Sequence, residues 1–362
     1  MIFFSYFSKD FLSLLLKKQL VKKNTDTFHF FKDLLRSEHV YLIGDRSEYR
    51  EYLKDIATDE SYHFLNILLV QGKWINTQSP SHEYLKNVNV DYYFDVKKNI
   101  SNSDGIINLL TIDKISDWKR DEIINNLYKR CDRSLELKIK ANQNLALLQK
   151  TKQYIDFVNC FEKLASFSSS IIIYDKYISS QLIYVKNAGS YVDYNYSLGK
   201  AYNDTLKFFS DKILSKSLNK NLHCKIICIF DPRHNYIIDN KNRIENSKMY
   251  EDYSRKFFSN LGKYNGSMHI KDGNKAPDKE DMCENLFDLL HDRYFLFFDH
   301  DKNLLRMVNF KNGFDFIKEK PKKTKRYMFT PEKRASYEEV ILPKIEILKD
   351  KEKDMFSFQN PS

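Results

Sequence analysis

Apolar residues recur along this chain in two rhythms, short unbroken runs that read as strands and three-to-four spacings that read as helices. Residues 1–36 are predicted to form one or two amphipathic helices. Phe11, Leu12, Leu14, Leu15 and Leu16 give an apolar face, and Lys17, Lys18, Lys22 and Lys23 a basic one. Val40 to Asp45 and Leu65 to Val70 are predicted strands around a helix over Asp45 to Ala57, a small parallel α/β unit. Val88 to Ile115 reads as short strands with turns, notably Ser101 to Gly105. From Ser116 to Leu164 there is neither Pro nor Gly. Apolar positions from Ile123 to Leu148 there predict two long helices, or one broken helix.

Beyond that, Ile171 to Ile173 is a predicted strand and Leu198 to Ser217 a helix. Cys224 to Phe230 is a buried strand ending in Asp231-Pro232-Arg233-His234. Helices are predicted over Arg243 to Leu261 and Lys279 to Leu290. The last runs into a buried strand, Leu290-His291-Asp292-Arg293-Tyr294-Phe295-Leu296-Phe297-Phe298. A second strand and a glycine turn, Asn312-Gly313-Phe314-Asp315, follow. Thr330 and Pro331 read as the N-cap and first residue of a final helix over Glu332 to Leu348, with a frayed tail after Lys349. The pattern divides the chain into an α/β region (1–115), a helical connector (116–165), a mixed sheet flanked by helices (166–320) and a basic tail (321–362).

Composition changes this picture little, and charge changes it more. With 42% hydrophobic and 15% aromatic residues, 362 residues can bury a core in each of two domains. A net charge of +10 favours a polyanion, either nucleic acid or an anionic membrane surface. Cys131, Cys160, Cys224, Cys228 and Cys283 form no disulfide-like or zinc-like framework, so reduced thiols in a cytoplasmic protein are expected, with no metal and no cofactor. The opening residues lack a basic leader and a cleavage site, and no segment approaches a membrane span.

The candidate chemistry lies at the mouth of the His291 strand. Alternation puts His291 and Arg293 on one face, and an imidazole beside a guanidinium suits a phosphate or carboxylate. His291 can pair as a strand-end residue with Asp175 or Asp315, bind phosphate, or act in catalysis. Gly313 is expected to supply a positive-φ turn and Asp315 to cap it or pair with Arg293. Arg233, at a strand end, and the tail residues Lys322, Lys323, Lys325 and Arg326 add cations for a polyanion.

The run His291-Asp292-Arg293, a strand and a Gly-x-Asp turn resembles the phospholipase D-like C-terminal domain of MIT-domain proteins. A second motif, Ile171-Ile172-Ile173-Tyr174-Asp175-Lys176-Tyr177-Ile178, resembles that family's apolar strand ending in Asp-Pro-Tyr-Ile, with Lys176 in place of the proline. The resemblance covers roughly residues 166–320. It implies a phosphate-recognising module, nucleic-acid binding in a bacterial conflict or phage-defence system, and service within a larger protein complex. It implies equally a metal-independent phosphodiesterase or nuclease with His291, Arg293 and Asp175 as catalytic groups. With His291-x-Arg293 as its motif, that enzyme is expected to act as a homodimer. Asp299 lies one residue beyond the superfamily's usual acid. The eukaryotic branch implies a third reading, a peripheral membrane adaptor.

Overall fold

The structure, a computed structural model, describes residues 3–37, 40–75, 85, 90–96, 109–131, 133–179, 192–217, 221–230, 243–277, 286–318 and 321–360. The fold is mixed α/β in two compact units, Met1–Arg133 and Ser134–Ser362.

In the first unit strands β1 (Phe3–Phe7), β2 (Val40–Ile43), β3 (Trp74–Ile75), β4 (Tyr92–Asp95) and β5 (Leu109–Thr111) form a parallel sheet ordered β3-β2-β1-β4-β5. Helices α1 (Lys9–Lys17), α2 (Asp26–Arg36), α3 (Arg46–Lys54) and α4 (Arg120–Cys131) accompany it. The first three start where a short polar side chain accepts a backbone N–H of the first turn: Ser8 from Phe11, Thr25 from Phe28, and Asp45 from Ser47. Phe7 and Phe94 stack at 4.4 Å at the centre of an aromatic core that includes Phe11 and Phe31.

Two expectations fail in this unit. Phe3–Phe7 is a central strand rather than helix, because a run of aromatics ahead of the Ser8 cap favours extended backbone. Residues 65–70 are helical rather than a strand. Phe64, Ile67 and Leu68 are buried at helical spacing while Val70 is 58% exposed.

The second unit is built on a mixed sheet of β6 (Leu135–Ile139), β7 (Ser170–Tyr174), β8 (His223–Phe230), β9 (Asn265–Asp272), β10 (Tyr294–Phe298), β11 (Leu304–Phe310), β12 (Lys325–Glu332) and β13 (Asp354–Gln359). Their order is β13-β9-β8-β7-β10-β11-β12-β6, with β7, β8 and β9 parallel and the other pairings antiparallel. Helices α5 (Lys152–Ser166), α6 (Val192–Phe208) and α7 (Arg243–Ser259) lie between the strands, and α8 (Leu342–Lys349) precedes β13. One face packs Phe295 against Phe161 of α5 at 5.1 Å and Phe310 at 4.6 Å. The other carries Ile172, Ile227, Leu296 and Met307 beneath Ile345 and Leu348 of α8.

Here the long connecting helices give way to a strand. Leu135-Glu136-Leu137-Lys138-Ile139 alternates with period two, buries Leu137 and Ile139, and pairs with β12. The sheet therefore takes strands from the expected connector and from the expected tail. Thr330 and Pro331 lie in β12, not at a helix start. Pro331 sits opposite Val308, beyond the part of β12 that pairs with β6, where a missing N–H is tolerated. The tail is not frayed, since β13 pairs with β9, a strand the apolar pattern does not announce. The helix over 279–290 is described only at Leu286–Leu289.

Strand β13 is fastened by Asp354, which contacts His269 Nδ1 at 2.8 Å and the ammonium of Lys271. Lys271 is fully buried. Burial alone would raise the Asp354 carboxyl, but hydrogen bonds from His269 and Lys271 outweigh it and hold it below its ordinary value. That stabilisation is complete above the ordinary carboxylate range and disappears as pH falls through the lowered folded value. Asp354→Ala is expected to cost about 3–5 kcal/mol, because it strands a buried ammonium, and to remove this component of the acid dependence. Urea unfolding of both proteins across acidic pH measures it, and a loss near zero contradicts the fastening role.

Candidate anion site at the end of strand β7

Asp175 immediately follows β7 and is completely buried. Its Oδ1 accepts the Tyr177 amide at 2.9 Å and the Arg293 Nε–H at 3.0 Å, and its Oδ2 accepts the Phe314 amide at 3.0 Å. Burial raises the Asp175 carboxyl, while the Arg293 charge and the two amides oppose that rise. One carboxylate thus joins the end of β7, the approach to β10 and the loop after β11.

Strand β10 begins at Tyr294, so His291, Asp292 and Arg293 lie on its approach rather than alternating within it. They still separate, with His291 and Asp292 exposed and Arg293 half-buried. Asp292 accepts a hydrogen bond from the Tyr294 hydroxyl at 3.3 Å. His291 pairs with neither Asp175 nor Asp315; its Nδ1 lies 3.2 Å from the Lys176 ammonium. Lys176 is only 1% exposed. The Tyr177 ring lies 4.6 Å from the Arg293 guanidinium and 5.1 Å from Lys176 Nζ, so its π-face supports both cations. Lys176 and Tyr177 are the residues that sequence reasoning missed. The signal for Lys176 was its place where the resembled motif carries proline.

Asp315 was expected to cap the turn or meet Arg293. It instead accepts from Lys325 Nζ at 2.9 Å and from the Tyr327 hydroxyl at 3.2 Å. Lys325 is therefore engaged within the fold, and Arg326 Nε stands 3.5 Å from Glu136. Lys322 and Lys323 are exposed. Arg233 lies outside the described residues. Asp299 sits at the far end of β10 and accepts from the Asn303 amide at 2.8 Å, closing the β10–β11 turn away from His291.

Gly313 has φ +88°, and a Cβ there would stand 2.8 Å from the buried Tyr202 hydroxyl. Among the described residues no group of three or more His, Cys, Asp or Glu is placed to hold a metal ion, and no helix is long and apolar enough to cross a membrane. Cys224 and Cys228 are buried thiols; burial pushes Cys224 up to about 12 and raises Cys228 as well.

The chain matches no family model, no curated protein and no solved structure.

Gly313→Ala is expected to destabilise the chain by about 1–3 kcal/mol, the cost of a left-handed residue with a blocked Cβ. Adding Tyr202→Phe should recover the steric part and leave the backbone part. Chemical denaturation of the single and double variants tests this, and equal losses in both refute a clash with the hydroxyl.

Proposed function

We propose that the second unit is a phosphate-recognising module of the phospholipase D-like type, binding nucleic acid through His291, Arg293 and the field of Lys176. The observation that carries this reading is the contact of the Lys176 ammonium with His291 Nδ1. An ammonium offers donors and no acceptor, so Nδ1 must accept. The imidazole hydrogen then stands on Nε2. An Nε2–H can donate to a phosphate oxygen but cannot attack phosphorus.

Charge supports the same conclusion. Asp175 pairs with Arg293, and the Lys176 ammonium lies beside the imidazole. Arg293 gives its Nε to Asp175, and with 21% of its side chain exposed it can turn the rest of the fork outward. The exposed Lys322 and Lys323, with the net charge of +10, add sequence-independent attraction to a phosphate backbone.

Binding of a fluorescent single-stranded oligonucleotide across a salt series tests the reading. Affinity should fall steeply with salt, and His291→Ala should weaken it roughly tenfold, the effect of one hydrogen bond to a charged group. Salt-independent binding, or His291→Ala binding like the parent, overturns it. Cleavage that persists in chelator and vanishes in His291→Ala would replace it with the phosphodiesterase reading.

A further inference from the structure

Strand alternation places His223 and Lys225 of β8 on one face of the second sheet with Ser267, His269 and Lys271 of β9. Lys225 is registered opposite Ser267, Ile227 opposite His269, and Ile229 opposite Lys271. This is the face that α8 covers through Ile345 and Leu348, yet on β9 its buried positions are polar. Two of those residues are satisfied, since Asp354 takes both His269 and Lys271. Two are not. The Ser267 hydroxyl is sealed, its residue 2% exposed, with no hydrogen-bond partner. Lys225 is half-buried and makes no hydrogen bond or ion pair among the described residues.

The surroundings of Lys225 are strongly cationic. Burial and the charges of Lys349, Lys271 and Lys351 work against its ammonium, and Asp354 is the carboxylate that favours it. That carboxylate is already shared between His269 and Lys271, and Lys349 holds Glu346 at 2.6 Å. Half-buried His223 stands two residues before Lys225, on the same face. An unmatched, partly desolvated ammonium beside an orphaned hydroxyl is costly unless something neutralises it. A tetrahedral oxyanion supplies acceptors for both and relieves the repulsion among the lysines.

We infer that the face of β8 and β9 beside the end of α8 holds a second phosphate-binding site, with Lys225 and Ser267 as its direct donors and His223 at its margin. It is independent of the His291 site. Asp175 lies past the end of β7, whereas Lys225 is registered with Ile172 inside that strand. The ligand chemistry is a phosphate group, either of a small molecule or of a nucleic-acid backbone.

Site-resolved lysine reactivity tests the inference on the unaltered full chain. Reductive methylation is followed by mass spectrometry with pyrophosphate, with a single-stranded oligonucleotide, and with neither. Slower modification of Lys225 in pyrophosphate supports a site for a small phosphate ligand. Protection by the oligonucleotide alone supports a backbone phosphodiester. Equal reactivity of Lys225 in all three overturns the inference, whatever His291 does. Ser267→Ala should shift the protecting ligand's midpoint roughly tenfold higher, as loss of one charge-assisted hydrogen bond requires, while His291→Ala should leave it in place. His223 imidazole resonances should move with the same midpoint.

Discussion

A carboxylate with no solvent around it must find its compensation in the protein, and Asp175 is such a group. Burial opposes its charge and prevails; the Arg293 guanidinium and the amides of Tyr177 and Phe314 counter it. Those partners come from separate segments of the chain, so the charge can persist only when β7, the approach to β10 and the loop after β11 are assembled together. Removing one member of such a buried pair typically costs about 3–5 kcal/mol. Ordering the site and folding the unit are therefore the same event. The outward half of the site, where His291 and Arg293 meet solvent, is held in place by the inward half.

The same logic explains why polar residues occupy positions that look like core. On β9, His269 and Lys271 are buried because Asp354 of β13 and the Asp350 carbonyl receive them. Their contacts align the last strand on the sheet edge. Opposite, the aromatic face needs no such matching. Phe157, Phe161, Phe295, Phe316 and Phe329 pack edge-to-face and tilted at 4.7–6.4 Å, contributing area and shape with nothing left to satisfy. The sheet is thus specified by packing on one face and partly by charge pairing on the other.

Much of the fold is legible from local pattern where burial is continuous. Val40–Ile43, Ile171–Ile173, Cys224–Phe230 and Tyr294–Phe298 announce themselves as apolar runs, and each is a strand. Reading fails where a second partner changes the rules. Leu135–Ile139 carries a clear period of two, hidden between helices in a stretch without breakers. Phe64, Ile67 and Leu68 needed the helical template rather than the strand one. Asn265–Asp272 and Asp354–Gln359 could not be read at all, because half the buried positions of the first are polar, the second buries only Phe358, and Asp354 of the second compensates Lys271 of the first.

By itself the sequence determined the mixed α/β class, the positions of the uninterrupted apolar strands and the gathering of His291, Arg293 and Asp175 as candidate chemistry. The first two follow from side-chain hydrophobicity and short-range spacing, which are properties of contiguous residues; the third rests on the resemblance of two separate motifs. Only the tertiary structure decided that Arg293 faces Asp175, that Lys176 faces His291, and that Asp315 belongs to Lys325 and Tyr327. Which charge meets which is fixed by strand order and register, across more than a hundred residues for Arg293 with Asp175 and for Lys176 with His291. No local pattern encodes that distance, because the energy of a buried ion pair exists only once both partners have left water.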